Sequence, residues 1–172
     1  MAVDVLKTGT VVFVAAIVQV SVLNGAAPFG GSPDLVLVTL VAVALLRGSI
    51  EGAAFGFIAG LIIDTATLST LGFTSLLLAL AGYWTGRYGE TTGRGRAHAP
   101  LVSVAVITFL YAVAALALRF MLAQQTSGAA AFDALLPTML WNVLLAVPVY
   151  ALCRRILARR DADRVQEVQL LG

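Results

Sequence analysis

Six apolar stretches separated by short polar breaks occupy nearly all of this 172-residue chain. A helix that crosses a bilayer needs about 20 mostly apolar residues, because roughly 30 Å of hydrocarbon is traversed at 1.5 Å rise per residue. Read this way, the spans fall at about Val5–Asn24, Pro33–Leu46, Ser49–Ala66, Leu71–Tyr88, Pro100–Leu122 and Ala134–Leu157. The pattern predicts an all-α integral membrane protein, a six-transmembrane-helix bundle forming one polytopic domain over residues 1–172.

Composition excludes most other classes. Hydrophobic residues make up 60% of the chain and charged residues only 12%, against the quarter or so that is charged in an ordinary soluble domain. No stretch is left for a globular module of typical size. The net charge of +2 would suit an anionic partner, but the basic residues flank apolar segments, where topology accounts for them, so nucleic-acid binding is not expected. Cys153 is the single cysteine and His98 the single histidine. No internal disulfide and no His/Cys metal cluster is therefore expected, and no metal or cofactor. Cys153 reads as a small packing residue in an apolar helix, with modification near the boundary as the alternative.

Charge fixes the expected orientation. With the N-terminus cytoplasmic, Lys7, Arg47, Arg87, Arg94, Arg96, Arg154, Arg155, Arg159, Arg160 and Arg164 all fall on the inner side, and only Arg119 falls near an outer end. Five spans would place the C-terminal arginines opposite Lys7, so six spans with both termini cytoplasmic is the consistent topology. The count depends on a break at Arg47-Gly48, because Leu35 to Ile63 otherwise reads as one long helix. A buried Arg and Glu would each cost about 2.5 to 3.5 kcal/mol at a helix centre, whereas a turn at Gly48 lets Arg47 and Glu51 reach water. Span two is then only about 14 residues, roughly 21 Å, which calls for a thinned bilayer or shielding by protein. Pro33 suits a helix start and Asp34 its first turn. The first span, with Lys7 ahead of its apolar run Val11 to Leu23 and Gly25-Ala26-Ala27 after it, has the outline of a signal peptide, but retention as an anchor is the expected fate.

Span three carries Gly48, Gly52, Gly56 and Gly60 at intervals of four, and span four carries Gly82 and Gly86. Small residues at this spacing let helix backbones approach closely, so both faces are candidates to pack on each other or on a partner helix. Asp64 follows Gly60 on nearly the same face. It is either a partner, ligand or proton contact turned toward protein, or a boundary residue reaching water. Asp34, Asp64, Arg119 and Asp133 gather at the outer ends and form a possible polar cluster in which Arg119 pairs with one acid, the alternative being separate solvation of each. Tyr83 and Trp84 read as an interfacial belt beside Arg87. In span six, Pro137 and Pro148 suggest kinks, and Trp141 with Asn142 suggests a cavity or interhelical packing. No Ser/His/Asp set, phosphate loop or HExxH motif is present, so an enzyme is not expected. The loop Gly89 to Ala99 and the tail Arg154 to Gly172 are the polar surfaces. The tail's Val165, Val168, Leu170 and Leu171 suit weak docking on a partner or on headgroups, or the tail is a plain anchor.

The run Pro33-Asp34-Leu35-Val36-Leu37 leading to Leu45-Leu46-Arg47-Gly48, followed by Gly52, Gly56-Phe57, Gly60-Leu61, Asp64, Leu71-Gly72 and Gly82-Tyr83, resembles the rod shape-determining protein MreD family. The likeness is strongest from Pro33 to Arg87, while span one, the loop and the tail match in hydropathy and position. It implies a multi-pass component of the bacterial inner membrane, a scaffold of the cell-elongation machinery. That scaffold would bind MreC and work with MreB, RodA and a penicillin-binding transpeptidase of peptidoglycan synthesis. The resemblance makes Gly52, Gly56, Gly60, Asp64, Gly82 and Gly86 candidates for partner binding. The family is similar in architecture to the S components of energy-coupling factor transporters, which supplies a rival expectation: a vitamin-binding protein using Asp34, Asp64, Arg119 and Trp141.

Overall fold

The computed structural model describes residues 2–23, 30–92, 99–122 and 128–157, and every regular element among them is helical. Asn24, Gly25, Ala26, Ala27, Arg94, Arg96, His98, Arg159, Arg160, Arg164 and the apolar residues of the tail lie outside the described residues.

Helix α1 runs Ala2–Val18 and continues as a wider π-type segment, Gln19–Leu23. Its inward stripe is Thr8, Val12, Ala15 and Ala16, all buried, which is the three-and-four spacing of one helix face. The Thr8 hydroxyl donates back to the Asp4 carbonyl at 2.8 Å, so it enters the bundle with its donor satisfied.

Helix α2, Leu35–Arg47, is the centre of the molecule: it packs on all five other helices. Every residue from Val36 to Leu45 is buried. A helix that is apolar all round belongs where protein surrounds it. At 13 residues, roughly 20 Å, it is too short for the hydrocarbon thickness. Enclosure resolves the difficulty, because a helix screened from lipid has no hydrophobic length to match. The Asp34 carboxylate caps it by accepting from the Leu37 N–H at 2.9 Å.

One residue separates α2 from α3, Ser49–Ala66. Gly48 has φ of 107°, in the region that L side chains disfavour, and this permits the reversal between the two helices. Helix α4, Phe73–Thr92, returns along α3 in the most extensive pairing of the fold. Helices α5, Ala99–Met121, and α6, Gly128–Leu157, pair with each other and close over α2. Observed ends differ from those expected chiefly in α4, which runs on to Thr92, and in α6, which starts at Gly128. Helix α6 is continuous through Pro137 and Pro148.

Among the described residues, four helices are long and apolar enough to cross a membrane: α1 with its π segment, α3, α5 and α6. Helix α2 falls short in length. Helix α4 has 20 residues, but its second half carries Arg87, Glu90, Thr91 and Thr92.

Candidate functional site

The glycine faces of α3 and α4 are turned toward each other. A Cβ on Gly52 would stand 2.6 Å from the Gly82 carbonyl oxygen, and one on Gly82 would strike the Gly52 backbone. A Cβ on Gly56 would meet the Leu78 carbonyl, one on Gly60 the Ser75 backbone, and one on Gly86 the Gly48–Ser49 peptide. Five glycines thus bring two helix backbones into direct contact, where dispersion and weak Cα–H···O contacts replace side-chain packing. This redirects the expectation that Gly52, Gly56, Gly60, Gly82 and Gly86 receive a partner helix. The faces are spent on each other, and a partner would have to displace α4 to reach them.

Asp64 closes the hairpin. It is fully buried, and its carboxylate accepts from five donors of the α3–α4 turn and the first turn of α4. Oδ1 accepts from the Thr74 N–H and the Ser69 hydroxyl, each at 3.2 Å. Oδ2 accepts from the N–H groups of Gly72 at 2.9 Å and Ser75 at 3.4 Å, and from the Ser75 hydroxyl at 3.3 Å. A carboxylate on the open N–H groups of a helix start also meets the positive end of the helix dipole. In this arrangement Asp64 caps α4 and is saturated by its own chain, which leaves little to offer an external contact.

At the same end of the bundle, distal to Ala2 of α1 and Leu157 of α6, lies a chamber of about 250 Å³. Asp34, Arg119 and Tyr111 line it together with Gln19, Thr138 and Asn142. Two amides build its walls. Gln19 Oε1 accepts from the Leu35 N–H at 2.8 Å while its Nε2 donates to the Pro33 carbonyl at 3.1 Å. Fully buried Asn142 accepts from the Asp34 N–H at 2.8 Å and donates to the Thr108 hydroxyl at 3.1 Å. The loop is drawn onto α6 by the Ser32 N–H, which donates to Thr138 Oγ1 at 3.1 Å, and by Gly31, whose missing side chain admits Pro137. Four elements are thereby fixed by polar contacts that lipid cannot compete for.

Of the expected outer cluster, Asp34 and Arg119 do share this chamber. They do not pair. Among the described residues Arg119 has no carboxylate within ion-pair distance, and its guanidinium lies over the Phe73 ring, 5.8 Å from the centroid. Asp64 is held in the hairpin turn, and Asp133 is exposed on the second turn of α6. Trp141 lines an apolar cleft on α6, away from the chamber. The roles of Gln19, Thr108 and Thr138 were not read from sequence. The available signal was an amide or hydroxyl inside an apolar span, but its partners sit on other helices.

The opposite end is tied by charge. Glu90 Oε1 accepts from both the Ser49 N–H at 2.8 Å and the Ser49 hydroxyl at 2.9 Å, so the last turn of α4 caps the start of α3. Arg87 lies 3.8 Å from Glu90, and Arg47 approaches Asp4 at 4.0 Å. Cys153 is buried within α6.

Two apolar features face outward. Between α4 and α5 runs a groove formed of adjoining hollows of about 310 and 240 Å³, which share Trp84, Ile107 and Leu110. Its upper part reaches Tyr111, which also borders the chamber. On α6, Leu136, Leu140 and Leu144 recur at intervals of four beside Pro137 and Trp141, around a cleft of about 370 Å³. Among the described residues no group of three or more His, Cys, Asp or Glu side chains could hold a metal ion.

An all-helical bundle with several apolar membrane-length helices, a buried central helix and polar groups tied at both ends defines a helical membrane protein. The family model for the rod shape-determining protein MreD matches residues 5–159, most of the chain. The chain belongs to the MreD family, and that membership gives it a role in rod shape determination. No curated protein and no solved structure matches it.

Proposed function

We propose that the chain is a non-catalytic, multi-pass scaffold of the bacterial inner membrane that binds MreC and helps organise peptidoglycan synthesis during elongation. Six crossings with both termini cytoplasmic place its basic residues on the inner side. MreB, RodA and a penicillin-binding transpeptidase are the further partners of this reading. The observation that carries it is the family match over residues 5–159.

The partner face is the outward stripe of α6. In lipid, helix association is driven by shape and not by apolarity, since the acyl chains are as apolar as leucine. The α6 stripe supplies shape: Leu136, Leu140 and Leu144 are each about two-thirds exposed and surround a concave cleft beside Pro137 and Trp141. A transmembrane helix with bulky aliphatic side chains fits such a surface as knobs fit holes. The transporter reading is less well supported, because a chamber of about 250 Å³ falls below the about 300–1,000 Å³ typical of drug-sized ligands.

The test is crosslinking in native membranes, followed by affinity purification and identification of what is recovered. Recovery of MreC supports the scaffold. Recovery of an energy-coupling transmembrane subunit with its ATPases, and no MreC, would replace it with the transporter reading.

A further inference from the structure

Helix α6 is the membrane-length helix that the rest of the bundle covers least. In its apolar stretch 11% of residues are buried, against 22% in α1, 39% in α3 and 28% in α5. Its inward side is narrow: Asn142, Ala146 and Cys153 are buried and fall within about 40° of one another around the helix.

The opposite side is a stripe that runs nearly the length of the helix. Pro137, Leu144 and Ala151 are spaced by seven, and so are Leu140, Val147 and Arg154. The two sets alternate at intervals of three and four, as the contact positions of a coiled coil do. Around a straight helix each set drifts by about 20° per seven residues, which a neighbour follows by crossing at a shallow left-handed angle, also about 20°. Leu140, Leu144 and Val147 are 69%, 64% and 59% exposed, and Ala151 and Arg154 are exposed beyond them. Bulk is unevenly distributed along the stripe. The outer half has leucines around the cleft beside Pro137 and Trp141, whereas Ala151 in the inner half lets another backbone come nearer.

Charge selects the occupant. A second copy would cross the bilayer in the same sense, so a symmetric pair through this stripe sets α6 beside α6 in parallel. Asp133 would then face Asp133, and Arg154 and Arg155 would face their own counterparts. All three are exposed, and among the described residues none has an ion-pair partner to offset that repulsion.

We propose, resting on α6 as the partner face, that the stripe from Pro137 to Arg154 is a coiled-coil-type seam that takes one transmembrane helix of a different chain. That helix runs alongside at a shallow left-handed angle, inserts bulky aliphatic side chains into the outer cleft and comes nearest at Ala151. On its docking side it carries no like charge at the levels of Asp133 and Arg154.

A photocrosslinking amino acid placed singly at positions 140, 144, 147, 151 and 152 of the full chain, in native membranes, tests the seam. MreC adducts are expected from the first four. At least tenfold fewer are expected from position 152, which is 57% exposed but about 100° around the helix from Ala151. Ala151→Leu, which fills the point of nearest approach, should cut the MreC recovered by affinity purification at least fivefold, and Leu152→Ala should leave it unchanged. Both alter exposed positions and are expected to fold. Adducts from position 152 as abundant as those from 147 and 151 would overturn the seam. Adducts from 140 and 144 alone, with Ala151→Leu neutral, would overturn its inner half and leave the outer cleft as the partner site. Self-adducts in place of MreC adducts would overturn the assignment to a different chain. MreC adducts from none of the five positions, with MreC still co-purified, would overturn the α6 face itself.

Discussion

A single carboxylate carries much of the specificity of this fold. Asp64 is fully buried, and five donors from Ser69, Gly72, Thr74 and Ser75 converge on it. Removing one partner of a buried hydrogen bond leaves the other to bear its full desolvation cost, about 1–3 kcal/mol and more where charge is involved. Asp64→Asn preserves size but replaces one acceptor oxygen with a donor facing N–H groups. It should destabilise the detergent-solubilised protein by about 1–3 kcal/mol, and Asp64→Ala by more. Denaturant unfolding followed by helicity measures both, and unchanged stability in Asp64→Ala would show that the turn does not depend on the carboxylate. The sequence placed Asp64 on the glycine face and turned it toward protein, because both follow from helical spacing. Its five donors were not legible, since the four residues that supply them become neighbours only when the chain reverses after Thr67.

At the scale of the element, the α3–α4 hairpin is a packing device whose tolerance differs from glycine to glycine. A methyl group on Gly56 would run into the Leu78 carbonyl, a backbone atom with no rotamer to escape to. Overpacking of this kind costs about 1–3 kcal/mol. A methyl on Gly9 would instead rest 3.5 Å from Phe55 Cε1, an ordinary contact, while gaining about 0.5–1 kcal/mol of helix propensity. Gly56→Ala should therefore lower the unfolding temperature and Gly9→Ala should leave it unchanged or raise it, with both proteins still inserted. Equal effects from the two would mean that the hairpin is not closed backbone to backbone. Sequence periodicity was a good guide to α3, whose limits Ser49 and Ala66 coincide with the expected ones, because Gly48 and the polar turn bracket it. It was a poorer guide to α4. Hydropathy falls after Tyr88, but the helix runs on to Thr92 and places Glu90 over Ser49, a contact 41 positions apart in sequence.

The whole molecule combines a buried 13-residue helix, a closed glycine hairpin and two outward apolar features. The architecture gives the small-residue faces to internal packing and leaves large apolar side chains exposed on the outside of the bundle. The inward bias of Lys and Arg predicts that cysteine tags at both termini label only from the cytoplasmic side of inverted versus right-side-out vesicles. Labelling of the two termini from opposite sides would require an odd number of crossings. The proposed partner face is open to site-specific crosslinking in a Cys153→Ala background, with a cysteine introduced by Leu140→Cys or Leu144→Cys on α6, or by Phe57→Cys at an exposed position of α3. MreC is expected to be captured from the two α6 positions and not from position 57. Capture of MreC from position 57 alone, with none from α6, would rule out α6 as the partner face.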